Sequence, residues 1–134
     1  MLATRGNAMD ALRNLALLVG RVFIVAIFIW DGVGILRDYA GSVTYSESFG
    51  VPGIFLPLVV LLQIGGGILI VLGWWTRLVA LAFAAFCVST ALLFHRNWSD
   101  LNEFLHFGKD FAIAGGFLFL FAEGPGNWSA DARR

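Results

Sequence analysis

The sequence predicts an all-α integral membrane protein, an antiparallel bundle of four transmembrane helices. Two observations carry this expectation. Only 13% of the residues are charged and 59% are hydrophobic, against roughly 25% and 45–50% in a soluble domain. The apolar residues also gather into four near-contiguous runs, each close to the roughly 20 residues a helix needs to cross about 30 Å of hydrocarbon. Nine basic and nine acidic residues cancel, and there is one cysteine. A nucleic-acid binder, a disordered chain and a disulfide scaffold are therefore poor fits. The alternating segments of a membrane β-barrel are absent.

Each run must be helical, because hydrocarbon offers the backbone no hydrogen-bond partner. The first is expected over 15–36, interrupted only by Arg21 and Asp31. Residues 1–14 read as a cytoplasmic N-terminal segment, with Asn7 and Asp10 as candidate caps for an earlier helix start. The apolar run is longer than the core of a cleaved signal peptide, so it reads as a retained span. Residues 37–53 read as the longest loop, ending in Gly50, Pro52 and Gly53. The second helix is expected over 54–74, with Gln63 as its single strongly polar side chain. The link to the third, 78–94, is so short that the two should be antiparallel neighbours. Asp100 with Glu103 resembles a capping pair before the fourth helix, 104–121. Gly124-Pro125-Gly126 stops that helix, which makes 15–123 one transmembrane domain and 124–134 a cytoplasmic tail. Orientation follows from basic residues in short connections. Arg5, Arg13, Arg77, Arg133 and Arg134 lie at one end, against Arg37 and Arg96 at the other, which predicts both termini in the cytoplasm.

Charged groups at membrane depth are costly and usually face the bundle interior. At about 100° per residue, each helix gathers its polar or small residues on one face. Asp31, Gln63, His95, His106, Lys109 and Asp110 are the expected lining of a polar pocket that opens toward the non-cytoplasmic side. Asp31 with Lys109 is the expected ion pair. Arg21 and Glu123 are expected as structural charges, with Arg21 pairing to Glu123 or reaching the headgroups. Two histidines without a ligand spacing give no metal site. Cys87 stands alone and there is no C-x-x-C, which excludes dithiol chemistry by the chain itself. Nucleotide, zinc-protease and hydrolase signatures are also absent, so a stand-alone enzyme is not expected.

From Leu15 to Asp131 the chain resembles the DoxX family of small four-helix membrane proteins. The likeness rests on Arg21 through Phe28 to Gly32-Val33-Gly34, on Gly41-Ser42-Val43 and Phe49-Gly50-Val51-Pro52, and on Gly66-Gly67. It continues in Leu72-Gly73-Trp74-Trp75-Thr76-Arg77, Phe94-His95, Lys109-Asp110 to Gly115-Gly116, and Gly124-Pro125-Gly126 with Ser129 and Asp131. Three positions depart from the family pattern. Ile35 stands where members often have Lys, Gln63 where they often have Glu, and Asp110 where they have Asn. The resemblance implies a bacterial inner-membrane protein. Some relatives are subunits of thiosulfate:quinone oxidoreductase or quinol-oxidase systems, others partners in membrane redox complexes, and distant ones assembly factors. The expected function is an accessory or redox-associated subunit whose pocket takes a quinone or bound lipid. The alternatives are a non-catalytic interaction or assembly protein, and small-solute or proton transport by a dimer. Expected partners are the lipid bilayer, a second copy or a redox-complex protein, and no nucleic acid.

Overall fold

The computed structural model describes residues 2–134. It contains five helices, here α1 Leu2–Arg37, α2 Tyr39–Ser48, α3 Gly53–Leu72, α4 Thr76–Phe94 and α5 Leu101–Glu123. All but α2 are long and apolar enough to cross a membrane, and they run alternately up and down. One end of the bundle carries the start of α1, the α3–α4 turn and the C-terminal segment. The other, far end carries α2 and the α4–α5 connection.

No proline interrupts α1, whose 36 residues make a rod of about 54 Å. That exceeds the hydrocarbon thickness, so α1 extends beyond the bilayer. It starts ahead of Asn7 and Asp10, which are exposed residues within it and not caps. The expected loop after α1 is instead largely α2. Asp38 caps that helix by accepting the Gly41 N–H at 3.1 Å. The polar sequence of α2 has almost no apolar periodicity, so its hydrophobic pattern gave no helix signal.

Pro52 and Pro57 open α3, where missing N–H groups cost nothing. Midway, residues Leu61–Gly66 adopt π-helical turns, an irregularity that hydrophobic periodicity does not reveal. Here α1 and α3 approach closely. A Cβ on Gly32 would lie 2.7 Å from Ile64 Cγ1, and one on Gly67 would lie 2.6 Å from Ile29 Cγ1. Small residues at such crossings allow backbones to pack where no hydrophobic effect drives them together. The most extensive interhelix interface joins α4 to α5, and α1 meets α5 only sparsely.

The core is thin. Phe83 stacks on Phe117 with centroids 4.7 Å apart, and Phe28 tilts against both. Val25, Ile70, Ala80, Ala84, Cys87 and Ala114 surround this trio. Large apolar side chains cover the outside, with Phe23 75% and Phe119 79% exposed. Such surfaces fit lipid contact around the bundle.

The C-terminal segment is folded back across its end of the bundle. Gly73 closes α3 at φ +72°, with the Trp74 N–H reaching back to the Leu69 carbonyl at 2.9 Å in a Schellman-type cap. Trp75 follows at φ +54°, the only non-glycine residue with positive φ among those described. Asp131 holds that strained turn, because its carboxylate accepts the N–H groups of Trp75 and Thr76 at 2.9 Å each. Ala130 and Asp131 also donate their own N–H groups to the carbonyls of Leu72 and Gly73. Asn14 on α1 accepts the Asn127 N–H at 2.9 Å.

Asp131 predicts a pH dependence. Burial alone would raise its pKa, but the N–H donors of Thr76 and Trp75 and the charge of Arg134 outweigh it, so the folded value lies below the ordinary one. Its contribution is complete above about pH 4 and is lost as pH falls through the depressed folded value. Asp131→Asn should cost about 1 kcal/mol at neutral pH, as for a lost helix cap. In thermal melts in detergent the gap to wild type should narrow toward pH 3. A gap that stays constant with pH would contradict this role.

Candidate functional site

Two polar groups stand between the helices toward the far end. In the first, Gln63 lies within the π-helical part of α3 and is buried. Its Nε2 donates to Asp31 Oδ2 on α1 at 2.7 Å. The Gln63 Oε1 has no hydrogen-bond partner. The wider turn of a π segment re-aims side chains and is frequent at functional positions.

The second group is larger. His95 terminates α4 and is half-buried between two carboxylates of α5, with Nδ1 at 3.2 Å from Glu103 and Nε2 at 3.7 Å from Asp110. Thr90, one turn before His95, donates to Asp110 at 3.4 Å. The His106 ring stacks on His95 with centroids 5.3 Å apart. Asp100 makes this geometry possible, since it caps α5 by accepting the Asn102 N–H and places Glu103 in the first turn. Glu103 then reaches His95, whereas a capping box would send it back to the Asp100 N–H.

Tyr45 of α2, 56% exposed, stacks on Phe94 at 5.8 Å and leans on Phe49 at the far end. Burial, and then the charges of Glu103 and Asp31, hold its phenol above the ordinary pKa. Glu103, Thr90 and Tyr45 were not among the site residues expected from sequence. Glu103 shared the polar face of its helix with His106 and Asp110, which was a usable signal. Tyr45 had none, because its segment read as a loop.

Two expected ion pairs are not formed. Asp31 accepts from Gln63, and Lys109 is exposed with no ion-pair partner among the described residues. A helical face about 140° wide groups residues that point to different neighbours, and Lys109 lies on its open side. Arg21 does not pair with Glu123. It is 1% exposed, and its guanidinium donates to the carbonyls of Ile70, Val71 and Trp128 at 3.2, 2.9 and 2.5 Å. Those of Ile70 and Val71 belong to the negative end of α3, where a cation is favoured. Glu123 is held by Arg13. Cys87 is buried and free in the core. No cluster of three or more metal-ligating side chains occurs among the described residues.

Chemically, His95 Nδ1 shares a hydrogen bond with Glu103, whereas Nε2, at 3.7 Å from Asp110, is beyond hydrogen-bond distance and open to a further polar group. Such acid–histidine series in membrane helices mark proton or substrate paths.

Comparison with known proteins places this architecture. The DoxX family model matches residues 16–96. The chain is 45% identical to the inner membrane protein YqjF of Escherichia coli (strain K12), covering 92% of this chain and 95% of that protein. It is 35% identical to the inner membrane protein YphA of the same strain, covering 92% and 93%. No solved structure matches. A family model spanning more than half of the chain and two relatives aligned over almost all of it agree, and the chain belongs to the DoxX family of membrane proteins.

Proposed function

We propose that this chain is an accessory, redox-associated subunit of the bacterial inner membrane whose His95 cluster receives the polar head of a quinone or lipid. The supporting observation is His95 itself, half-buried with one carboxylate at each ring nitrogen and a second imidazole stacked beside it. The exposed ammonium of Lys109, one residue before Asp110, is free to donate to a quinone carbonyl or a lipid phosphate. In this reading the chain supplies docking and proton exchange. Electrons belong to a partner oxidoreductase, with the chain present singly or as a homodimer. The preponderance of arginine at the terminal end supports an orientation with both termini in the cytoplasm and the His95 cluster at the opposite face.

A second reading, interaction or assembly without chemistry, is favoured by the same cluster's internal satisfaction. His95 Nδ1 is already hydrogen-bonded to Glu103 and Asp110 to Thr90, so these polar groups can serve packing alone. Mass spectrometry of small molecules retained by gently extracted protein separates the two. The redox-associated function predicts a quinone or phospholipid in wild type, reduced about tenfold in Lys109→Ala and His95→Ala. An unchanged inventory in folded variants, with only lower abundance, would establish the assembly role instead.

A further inference from the structure

Where α1 meets α5 only sparsely, near the end that carries both termini, a cavity of about 460 Å³ opens between them. Its walls are almost wholly apolar and mix small residues with large ones. Ala16, Gly20 and Ile24 come from α1, and Gly116, Phe119 and Ala122 from α5. The volume lies in the range of roughly 300–1,000 Å³ typical of ligand sites. An apolar groove facing hydrocarbon would by itself mean only that acyl chains pass by. Two charged residues give it a head end.

Arg21 forms part of the wall and is 1% exposed, yet its Nε has no acceptor. The other two nitrogens bind neutral carbonyl oxygens, and no carboxylate lies within 4 Å of the guanidinium among the described residues. Buried charge is normally paired directly, whereas the Asp131 carboxylate acts on Arg21 only from beyond ion-pair distance, which leaves room for an anion in direct contact. Glu123, the second charged wall residue, does not oppose this, because Arg13 already binds it. Basic pockets between transmembrane helices bind the heads of anionic lipids, and a guanidinium is well matched to phosphate oxygens.

We infer that the α1–α5 groove is a binding site for one anionic phospholipid, its phosphate near Arg21 and an acyl chain running past Gly20 toward Ile24 and Gly116. This site lies at the opposite end of the bundle from the His95 cluster and stands or falls independently of it. Charge complementarity selects an anionic lipid over a zwitterionic one. The same charge gives no advantage to an uncharged quinone.

Gly20 allows a test that leaves Arg21 intact. A Cβ on Gly20 meets nothing within 4 Å, so Gly20→Leu adds bulk to the groove without displacing protein atoms at that point. Gly34, equally open and outside the groove, provides Gly34→Leu as the control. Purified, delipidated full-length protein would be titrated with dioleoyl phosphatidylglycerol or dioleoyl phosphatidylcholine and the bound lipids counted by native mass spectrometry. Wild type and Gly34→Leu should each retain one phosphatidylglycerol, bound about fivefold more tightly than phosphatidylcholine. Gly20→Leu should melt like the control and bind phosphatidylglycerol more weakly by at least about fivefold. Equal binding of the two lipids by wild type, or undiminished phosphatidylglycerol binding by Gly20→Leu, would overturn the assignment.

Discussion

Arg21→Ala should abolish accumulation of the folded protein, or leave a species destabilised by about 4 kcal/mol. The guanidinium joins three parts of the chain that no other side chain connects in this way. It is carried by α1, it binds the carbonyls of Ile70 and Val71 at the end of α3, and it binds the Trp128 carbonyl of the folded-back C-terminal segment. A hydrogen bond to a charged group contributes roughly 1.5–3 kcal/mol, and stranded buried acceptors add their own desolvation penalty. The sum is reduced because α3 can fray and admit water at its end. Arg21→Lys should recover only part of the loss, since one compact ammonium cannot reproduce a planar fork spread over three oxygens. Melting followed by size-exclusion chromatography in detergent measures both variants. A fully stable Arg21→Ala would show that the C-terminal clamp holds without its centre.

The sequence announced Arg21 as unusual but not its partners. A charge inside an apolar run is visible at once, and so is the expectation that it serves structure. Its acceptors are backbone carbonyls, which carry no residue identity, and one of them belongs to a segment that read as a tail. The same limit explains the Asp31–Lys109 pair. Helical periodicity assigns a face and a depth, but the choice between Gln63 and Lys109 depends on which neighbouring helix the side chain meets. The four spans were legible because hydrocarbon imposes one length and one composition on them. The α2 helix was not, because a polar helix in the loop has no such constraint. The site at the far end was half legible. His95, His106 and Asp110 share faces and depth in the sequence and stand together in the structure, whereas Tyr45 depends on where α2 lies and Lys109 belongs to the open side.

Gly73→Ala should be nearly as damaging as Arg21→Ala, at about 3 kcal/mol, although it adds a single methyl group. Two costs combine. At φ +72° an alanine adopts the left-handed conformation at roughly 1–2 kcal/mol. The added Cβ would also fall 2.4 Å from Arg21 Nη1 and 2.4 Å from Ser129 Cβ, with the Ser129 Cα at 3.2 Å. Neither neighbour is free to yield. The Arg21 nitrogen is the one shared between Ile70 and Val71, and Ser129 is tied to the Gly126 carbonyl at 2.7 Å. Moving either one dismantles the clamp that Asp131 and Arg21 build together. The backbone cost is a property of the residue alone, but the steric cost depends on the guanidinium. Residues sharing a network in this way are non-additive, typically by about 0.5–3 kcal/mol. Gly73→Ala should therefore cost less in an Arg21→Lys background than in wild type, where the larger fork crowds the new methyl. Four melting curves complete the cycle. Strict additivity would separate the turn from the buried arginine and assign the whole effect of Gly73→Ala to φ.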